Sequence, residues 1–361
     1  MIGSYLSRSF FLTFLILCGI IFTVMKVKNK CFNPYLKNIN RIEAVVTYEC
    51  TGNCRHCSQG DVRFRGVIDK DRVTDAMRKL FEIYDIESVM TFGGEPLIYP
   101  DDVCTILSCA RDYNVPKRQV ITNGYFSKDE KIIYRVAEKL AKSEVNDVLL
   151  SVDAFHQENI PTDPVMTFAK ALKELKVPVR INPAWLLNKN YPCEFNDKTH
   201  GILNVFEKQG FYVCDGNIIF PKGNALKYLN EYFIGANIED PYEEDPEDVR
   251  TVSFEPCGNV LNGNIYSSNI EDIISSYDPS DSRALRRIAE MESYMDDVIS
   301  AEANGNIEDE KIKEKISILT KYMTCGEYLE DYERYENGKI PKNLKCGVLS
   351  QDALYDLLSE I

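Results

Sequence analysis

Three cysteines lie close together near the start of the chain, at Cys50, Cys54 and Cys57, with the spacing CxxxCxxC. Thiolates on one tight loop can each bind a different corner iron of a [4Fe-4S] cluster, and Gly52 and Asn53 tolerate the backbone turns that such a loop needs. Three ligands leave the fourth iron open, and an open metal position can bind a small molecule. The spacing therefore predicts metal chemistry at these three residues.

A structural zinc site is the alternative that the spacing leaves open. Zinc sites typically have four protein ligands, often with a CxxC pair at each end. His56 lies between Cys54 and Cys57, too close to both to be a comfortable fourth ligand. The pattern therefore favours an iron-sulfur cluster over zinc.

A second motif, Gly93-Gly94-Glu95-Pro96, follows a short apolar run at residues 88–92. Two glycines let a ligand approach the backbone closely, the carboxylate of Glu95 can bind an ammonium group, and Pro96 ends the strand. Alone, this motif is typical of many turns. One strand after CxxxCxxC, it indicates a ligand-binding site.

Together the two motifs resemble the signature of the radical S-adenosylmethionine (SAM) superfamily, with CxxxCxxC at the end of the first barrel strand and GGE at the end of the second. The resemblance covers roughly residues 41–221. It implies a [4Fe-4S] cluster on Cys50, Cys54 and Cys57 as the catalytic and metal centre, with SAM on the open iron. An electron from a donor such as flavodoxin or ferredoxin would cleave SAM to methionine and a 5′-deoxyadenosyl radical. That radical would abstract hydrogen from a peptide, protein or small-molecule substrate.

The resemblance also indicates which strand ends meet SAM. Polar residues at the carboxyl ends of barrel strands face the mouth of the barrel. Those outside the GGE motif have an alternative interpretation as cap or turn residues. His156, just beyond the fourth strand, is either an acid or base for the substrate or a simple loop histidine. The predicted SAM-binding residues are Gly93, Gly94, Glu95, Asn123, Ser151, Asp153 and Arg180.

Beyond residue 40, short β-branched runs alternate with amphipathic stretches, the pattern of strands alternating with helices. The repeat is roughly thirty residues, the length of one βα unit. Such alternation predicts an α/β fold with a parallel sheet, here a partial (βα)6 TIM-like barrel. The predicted strands cover residues 43–49, 88–92, 119–122, 147–152 and 178–182, and the predicted helices 71–84, 101–113, 128–141 and 165–175.

The chain divides into three predicted parts. Residues 1–30 form a membrane anchor or a mis-annotated start, residues 41–221 the radical SAM core barrel, and residues 222–361 a small α+β extension with helices. Near the start of this extension, residues 239–248 are almost all acidic, a composition that predicts a solvated loop or linker.

The extension itself carries a weaker resemblance. Cys257-Gly258-Asn259 resembles the opening of the SPASM or twitch modules of radical SAM relatives, but their dense cysteine core is missing, which favours a remnant scaffold over an auxiliary cluster. Asn262 and Gly263 predict the turn of a hairpin. Cys325 and Cys346 are the further candidate ligands for an auxiliary cluster.

An uncharged apolar run, residues 9–25, follows Arg8 and precedes Lys26, Lys28 and Lys30. Its length is at the short end for a transmembrane helix. The lysines after it do not resemble a signal-peptide cleavage site, and by the positive-inside rule they put the catalytic domain in the cytoplasm. Two interpretations stay open, a membrane anchor or a true start at Met25.

Composition narrows the functional classes. Lys and Arg total 42 against 56 Asp and Glu, a net charge of −14 without a basic stripe, so a nucleic-acid partner is not expected. The 12 cysteines are scattered except for the triplet, which suits metal binding in a reducing compartment better than disulfides. A non-catalytic iron-sulfur redox sensor is the alternative to an enzyme, but a sensor needs no SAM pocket.

Overall fold

The computed structural model describes residues 33–324, apart from 61–65, 237, 239–240, 243, 282–290, 292, 296 and 302–303. The apolar run at 9–25 lies outside the described residues, as do Cys325 and Cys346, so the predictions about them remain predictions. No helix within the described ranges is long and apolar enough to cross a membrane.

Seven parallel strands form the main sheet, which is the centre of the fold. Along the chain they are β1 Arg41–Val45, β2 Ser88–Phe92, β3 Lys117–Thr122, β4 Asp147–Ser151, β5 Val179–Asn182, β7 Tyr212–Val213 and β9 Thr251–Phe254. Their order across the sheet is β7-β5-β4-β3-β2-β1-β9. Two short ribbons accompany the sheet, a parallel one of β6 Ala184–Trp185 with β8 Asn217–Ile218 and an antiparallel one of β10 Asn259–Val260 with β11 Gly263–Asn264.

Helices connect the strands along most of the chain. The helices are α1 Lys70–Ile83, α2 Pro100–Asp112, α3 Glu130–Lys142, α4 Ala154–Gln157, α5 Thr162–Glu174, α6 Glu194–Lys208, α7 Asn224–Phe233, α8 Ile270–Ser276 and α9 Glu310–Thr324. A 3-10 turn covers Pro96–Ile98.

Local chemistry explains where these helices begin and which face they bury. Asp69 caps α1, because its side chain accepts hydrogen bonds from the backbone N–H groups of Asp71 and Arg72. The apolar residues of α1 recur at helical spacing, and Val73 and Met77 among them are fully buried in the core. The α/β class and the parallel sheet predicted from the sequence are confirmed. The strand and helix order is consistent with a partial TIM-like barrel.

One strand of the sheet comes from beyond the predicted boundary at residue 221. β9 pairs with β1 in parallel, with Arg41 opposite Thr251. The acidic stretch contributes to the start of this strand, since the Glu244 carboxylate accepts from Arg250 N and Thr251 Oγ1. The C-terminal region therefore completes the same sheet that carries the cysteine loop.

The predicted hairpin is present, but its turn is displaced by one residue. Val260 pairs with Gly263, so the turn consists of Leu261 and Asn262. Gly263 serves close packing, because a Cβ there would lie 2.6 Å from Ile273 Cγ1 on α8. The Asn-Gly pair was therefore a misleading signal for the turn position.

Candidate active site

The cysteine triplet lies on the loop that follows β1. Cys54 is buried, Cys57 is half-buried and Cys50 is exposed, and all three are free thiols. Cys57 N donates to Cys54 O at 3.2 Å, and Gly52 N lies 3.3 Å from Cys50 Sγ. The loop therefore turns tightly between Cys50 and Cys57, and its binding of a cluster remains a prediction.

Electrostatics at this loop favour a bound cation. Burial raises the pKa of the Cys54 thiol above its usual range, and repulsion from Asp153 and the neighbouring thiols raises it further. Iron reverses this balance, because a coordinating thiol is deprotonated outright. Three soft thiolates also suit iron-sulfur chemistry. The residues present therefore fit a [4Fe-4S] cluster.

The two glycines of the GGE motif bring β2 onto the cysteine loop. Gly93 has a φ of 145°, and a Cβ on it would lie 2.2 Å from Thr47 O. A Cβ on Gly94 would lie 2.1 Å from Glu49 O. Backbone hydrogen bonds cross the same contact, from Gly94 N to Thr47 O and from Glu95 N to Glu49 O. The close neighbour of these glycines is therefore the chain itself, and their contact with SAM remains a prediction.

Glu95 is fully buried and joins the ends of β2 and β3. Its Oε1 accepts from Leu97 N at 2.9 Å and from Thr122 Oγ1 at 2.7 Å, and its Oε2 accepts from Asn123 N at 2.8 Å. Burial raises the pKa of Glu95 to about 7, although these hydrogen bonds oppose the rise. Oε2 keeps acceptor capacity for a further donor. The predicted ammonium contact of Glu95 remains a prediction.

Asn123 connects the end of β3 to the cysteine loop. Its Oδ1 accepts from Tyr125 N at 2.8 Å. Its Nδ2 lies 3.2 Å from Thr51 Oγ1 and 3.6 Å from Cys50 Sγ. The structure therefore brings Asn123 and Glu95, two of the predicted site residues, together beside the first cysteine.

Asp153 follows the end of β4 and is fully buried. Its Oδ1 accepts from Phe155 N and His156 N, which caps α4, and its Oδ2 accepts from Ala184 N at 3.0 Å and from His156 Nδ1 at 2.8 Å. Although burial alone would raise it, the charge and hydrogen bond of His156 lower the pKa of Asp153 to about 2. Asp153 thus orients His156. Ser151, the last residue of β4, is buried beside it.

His56 adds a second imidazole at this edge. Its ring centroid lies 5.1 Å from that of Phe155 and 4.6 Å from that of His156, and burial lowers its pKa to about 4. The atoms of His56, Asp153 and His156 that could bind a metal ion lie within 4.8 Å of one another. Both Asp153 oxygens already accept two hydrogen bonds each, so we interpret the group as an oriented Asp-His pair. Among the described contacts His56 Nδ1 is buried without a partner, which suits a hydrogen bond to a bound ligand.

Arg180 is not at the barrel mouth, and that part of the prediction is wrong. Its Nε and Nη2 donate to the two carboxylate oxygens of Asp147, both at 3.0 Å. Asp147 is the first residue of β4, at the opposite end of that strand from Ser151. Arg180 is the second residue of β5, and its side chain forms an ion pair with the first residue of the neighbouring strand.

Sequence reasoning missed a contact between α7 and the cysteine loop. Asn224, the first residue of α7, donates from its backbone N to Cys57 O at 2.8 Å and from Nδ2 to Cys54 O at 3.2 Å. A Cβ on Gly223 would lie 2.5 Å from Ser58 O. In the sequence, a glycine and an asparagine before an amphipathic stretch predict an ordinary helix start. They do not indicate a contact with the cysteine loop.

Cys257, the first candidate for an auxiliary cluster, lies just after β9. Its thiol is 3.5 Å from Glu255 Oε2, and burial raises its pKa to about 11. Its other candidate partners, Cys325 and Cys346, lie outside the described residues. Iron analysis of reconstituted protein distinguishes an auxiliary cluster from a remnant scaffold.

Comparison with known protein families identifies two segments of the chain. Residues 44–191 match the model of the radical SAM superfamily, and residues 288–361 match a domain of unknown function, DUF4298. No curated protein matches the chain.

Several solved structures are similar to part of the chain. SuiB from Streptococcus suis bound to S-adenosylmethionine is 16% identical over 66% of each chain, with a TM-score of 0.45. The protein anSMEcpe with bound AdoMet is 19% identical over 66% of this chain and 76% of its own, with a TM-score of 0.42. BtrN in complex with AdoMet and 2-DOIA is 17% identical over 67% and 83%, with a TM-score of 0.35. The alignment spans just under two thirds of the SuiB chain.

Because these structural likenesses are weak, the family assignment rests on the match over residues 44–191. That segment contains the three cysteines, the GGE motif and the strand ends around them. The cofactors of the superfamily are SAM and a [4Fe-4S] cluster, and the three thiols on the loop after β1 fit that cluster. The chain therefore carries a radical SAM domain over residues 44–191.

Proposed function

We propose that this enzyme cleaves SAM reductively at a [4Fe-4S] cluster held by Cys50, Cys54 and Cys57, and abstracts hydrogen from a peptide, protein or small-molecule substrate. The observation that supports this most is the contact of the GGE motif with the cysteine loop, where Glu95 N donates to Glu49 O at 2.7 Å. When bound, the cofactors supply the one-electron cleavage of the sulfonium and the radical that follows from it.

The cysteines and Glu95 position the groups that take part in that chemistry. Cys50, Cys54 and Cys57 would hold three irons of the cluster, and the fourth would remain open to SAM. Glu95 fixes Thr122 and Asn123 beside this position through its two carboxylate oxygens. Such positioning contributes because reacting groups gain rate when they are held in near-attack geometry.

His156 is the residue we assign to proton handling at the site. Asp153 Oδ2 accepts from His156 Nδ1, so in the neutral imidazole the proton lies on Nδ1 and Nε2 can accept a hydrogen bond. The half-buried imidazole lies beside His56 of the cysteine loop. It therefore suits a hydrogen bond to the substrate or to SAM.

Iron analysis followed by a SAM-cleavage assay tests the proposal. Anaerobically reconstituted protein should bind about four irons and four sulfides, and replacing all three cysteines by Ala should abolish the cluster absorbance. With dithionite and SAM, the reduced wild type should release 5′-deoxyadenosine slowly, measured by chromatography.

The outcomes separate this proposal from the alternatives. A full cluster in the triple cysteine variant would end the assignment of the three ligands. A full, reducible wild-type cluster that yields no 5′-deoxyadenosine, and whose EPR signal SAM leaves unchanged, would favour a redox sensor. Clearly more than four irons would indicate an auxiliary cluster, with Cys257 the first ligand to replace.

Two partners belong to the same proposal. A flavodoxin or ferredoxin would deliver the electron, and residues 9–25 would attach the chain to a membrane with the catalytic domain in the cytoplasm. If the attachment is real, the full chain will resist alkaline carbonate extraction from membranes, whereas a chain beginning at Met25 will be released. Release of the full chain as well would favour Met25 as the true start.

A further inference from the structure

The side-chain amide of Asn123 is fixed in orientation. The residue is 5% exposed, and its backbone N donates to Glu95 Oε2 at 2.8 Å. Its Oδ1 accepts from Tyr125 N at 2.8 Å, and a backbone N–H can only donate. This contact settles which end of the amide is oxygen, so the NH2 group must face the cysteine loop.

The NH2 group of Asn123 reaches a predicted cluster ligand. Nδ2 lies 3.6 Å from Cys50 Sγ and 3.2 Å from Thr51 Oγ1, and its two hydrogens can serve both acceptors. Gly52 N, from within the loop, lies 3.3 Å from the same sulfur. Both donors face the sulfur that would bind iron, and hydrogen bonds to a thiolate sulfur favour the charged form that a cluster requires.

We propose that Asn123 is a positioning residue that raises the reduction potential of the cluster through an N–H···S hydrogen bond to the Cys50 thiolate. The inference rests on the proposed function, because it requires the cluster on Cys50, Cys54 and Cys57. Reduction adds one electron to the cluster and makes its sulfur ligands more negative. A donor at the sulfur stabilises the reduced form more than the oxidised form, which is how hydrogen bonds set cluster potentials.

Glu95 fixes the position of Asn123, the donor of this hydrogen bond. Its carboxylate accepts from both Thr122 Oγ1 and Asn123 N, so the end of β3 cannot shift without breaking buried contacts. The GGE motif would thus act on the cluster through Asn123, in addition to any contact of its own with SAM. The two roles are separable, since the potential can be measured before SAM is added.

The test is a redox titration of reconstituted protein without SAM, with dithionite as the one-electron reductant and the EPR signal of the reduced cluster as readout. Asn123→Leu keeps the volume but removes the donor. We expect a midpoint potential lower by about 59 mV, which is tenfold in the one-electron equilibrium. Asn123→Asp should shift it further, because a negative charge replaces the NH2 group.

Asn182→Leu is the matched control. Asn182 is also a buried asparagine at the carboxyl end of a strand, but its Oδ1 accepts from Cys214 Sγ at 3.1 Å, and Cys214 is not a predicted cluster ligand. This variant should titrate like the wild type. An equal shift in Asn182→Leu, or none in both Asn123 variants with full clusters, would overturn the inference.

A second measurement needs no variant. In wild-type protein labelled with 15N-asparagine, electron-nuclear double resonance of the reduced cluster should show an exchangeable proton and one coupled asparagine nitrogen. If Asn123→Leu fails to retain a cluster, this spectrum decides, and absence of the coupling would overturn the inference. A wild type that binds no cluster would instead contradict the proposed function, on which the inference depends.

Discussion

The ends of β2 and β4 each place a fully buried carboxylate beside the cysteine loop, yet the two acids behave in opposite ways. Glu95 accepts from a hydroxyl and two backbone N–H groups, and burial raises its pKa to about 7. Asp153 accepts in addition from an imidazole, and the charge and hydrogen bond of His156 hold its pKa at about 2 against burial. At this edge of the sheet the partner decides whether a buried acid is charged.

The two acids therefore contribute to stability in opposite pH ranges. The folded pKa of Asp153 is depressed, so its contribution is present above the unfolded value near 3.8 and is lost as pH falls through about 2. The folded pKa of Glu95 is raised, so its contribution is present below 4.5 and is lost as pH rises through about 7. Four substitutions test this comparison and the packing around it.

The largest effect should follow Asp153→Ala. The change leaves three backbone N–H groups and the His156 imidazole without their buried acceptor, and breaking a buried charged pair costs about 3–5 kcal/mol. The free energy of unfolding in urea at pH 7 measures it. Asp101→Ala, which breaks an exposed pair with Lys139, should cost less than about 1 kcal/mol. Equal losses of unfolding free energy in the two variants would contradict a stabilising role for Asp153.

Glu95→Gln should change how stability depends on pH. Relative to the variant, the wild type should lose up to about 3 kcal/mol of unfolding free energy between pH 5 and 8, because its buried carboxyl must ionise. The variant should be less stable at every pH, because the NH2 group of Gln cannot accept the hydrogen bond from Asn123 N. Its stability should not, however, fall between pH 5 and 8 through ionisation at this position. Unfolding in urea at several pH values separates the two effects. Parallel pH profiles would contradict the raised pKa of Glu95.

Gly94→Ala should destabilise the protein by about 1–3 kcal/mol, the usual cost of overpacking. The new Cβ would lie 2.1 Å from Glu49 O, and backbone must move to admit it. Iron content after reconstitution should fall with it. Gly201→Ala is the matched control, because Gly201 lies in α6 with nothing within 4 Å, and alanine there should stabilise the helix by about 0.5–1 kcal/mol. The same sign in both variants would argue against close backbone packing at Gly94.

Asn224→Ala should have the smallest effect on stability, about 1 kcal/mol, because it removes one side-chain hydrogen bond to Cys54 O. Its backbone hydrogen bond to Cys57 O remains. The more sensitive readout is the rate at which a chelator removes iron, which should rise. An unchanged rate would show that the α7 contact does not hold the loop.

Much of the core fold could be predicted from local patterns. The second strand was predicted at residues 88–92, as observed, and the helices at 71–84 and 101–113 shift by a residue at each end. Hydrophobic periodicity predicts these elements, because it depends only on residues close together in the sequence. The cysteine loop was predictable for the same reason, since its spacing is local.

What could not be predicted depends on residues far apart in the chain. Arg180 sits on a predicted strand, but its ion pair with Asp147 depends on where that strand begins. Likewise, nothing local reveals that Gly94 faces the backbone of Glu49, or that Asn224 meets the cysteine loop. Such contacts are decided by the register of the sheet and by packing.

The pairing of β9 with β1 has a consequence for how the chain is made. Arg41 opposes Thr251, so a ribosome must add more than two hundred residues before the strand leading to the cysteine loop gains its second neighbour. At typical synthesis rates of 5–20 residues per second this takes about 10–40 s. During that time β1 presents an open edge, which other chains can join. Cluster insertion during synthesis would therefore act on a sheet that is still one strand short.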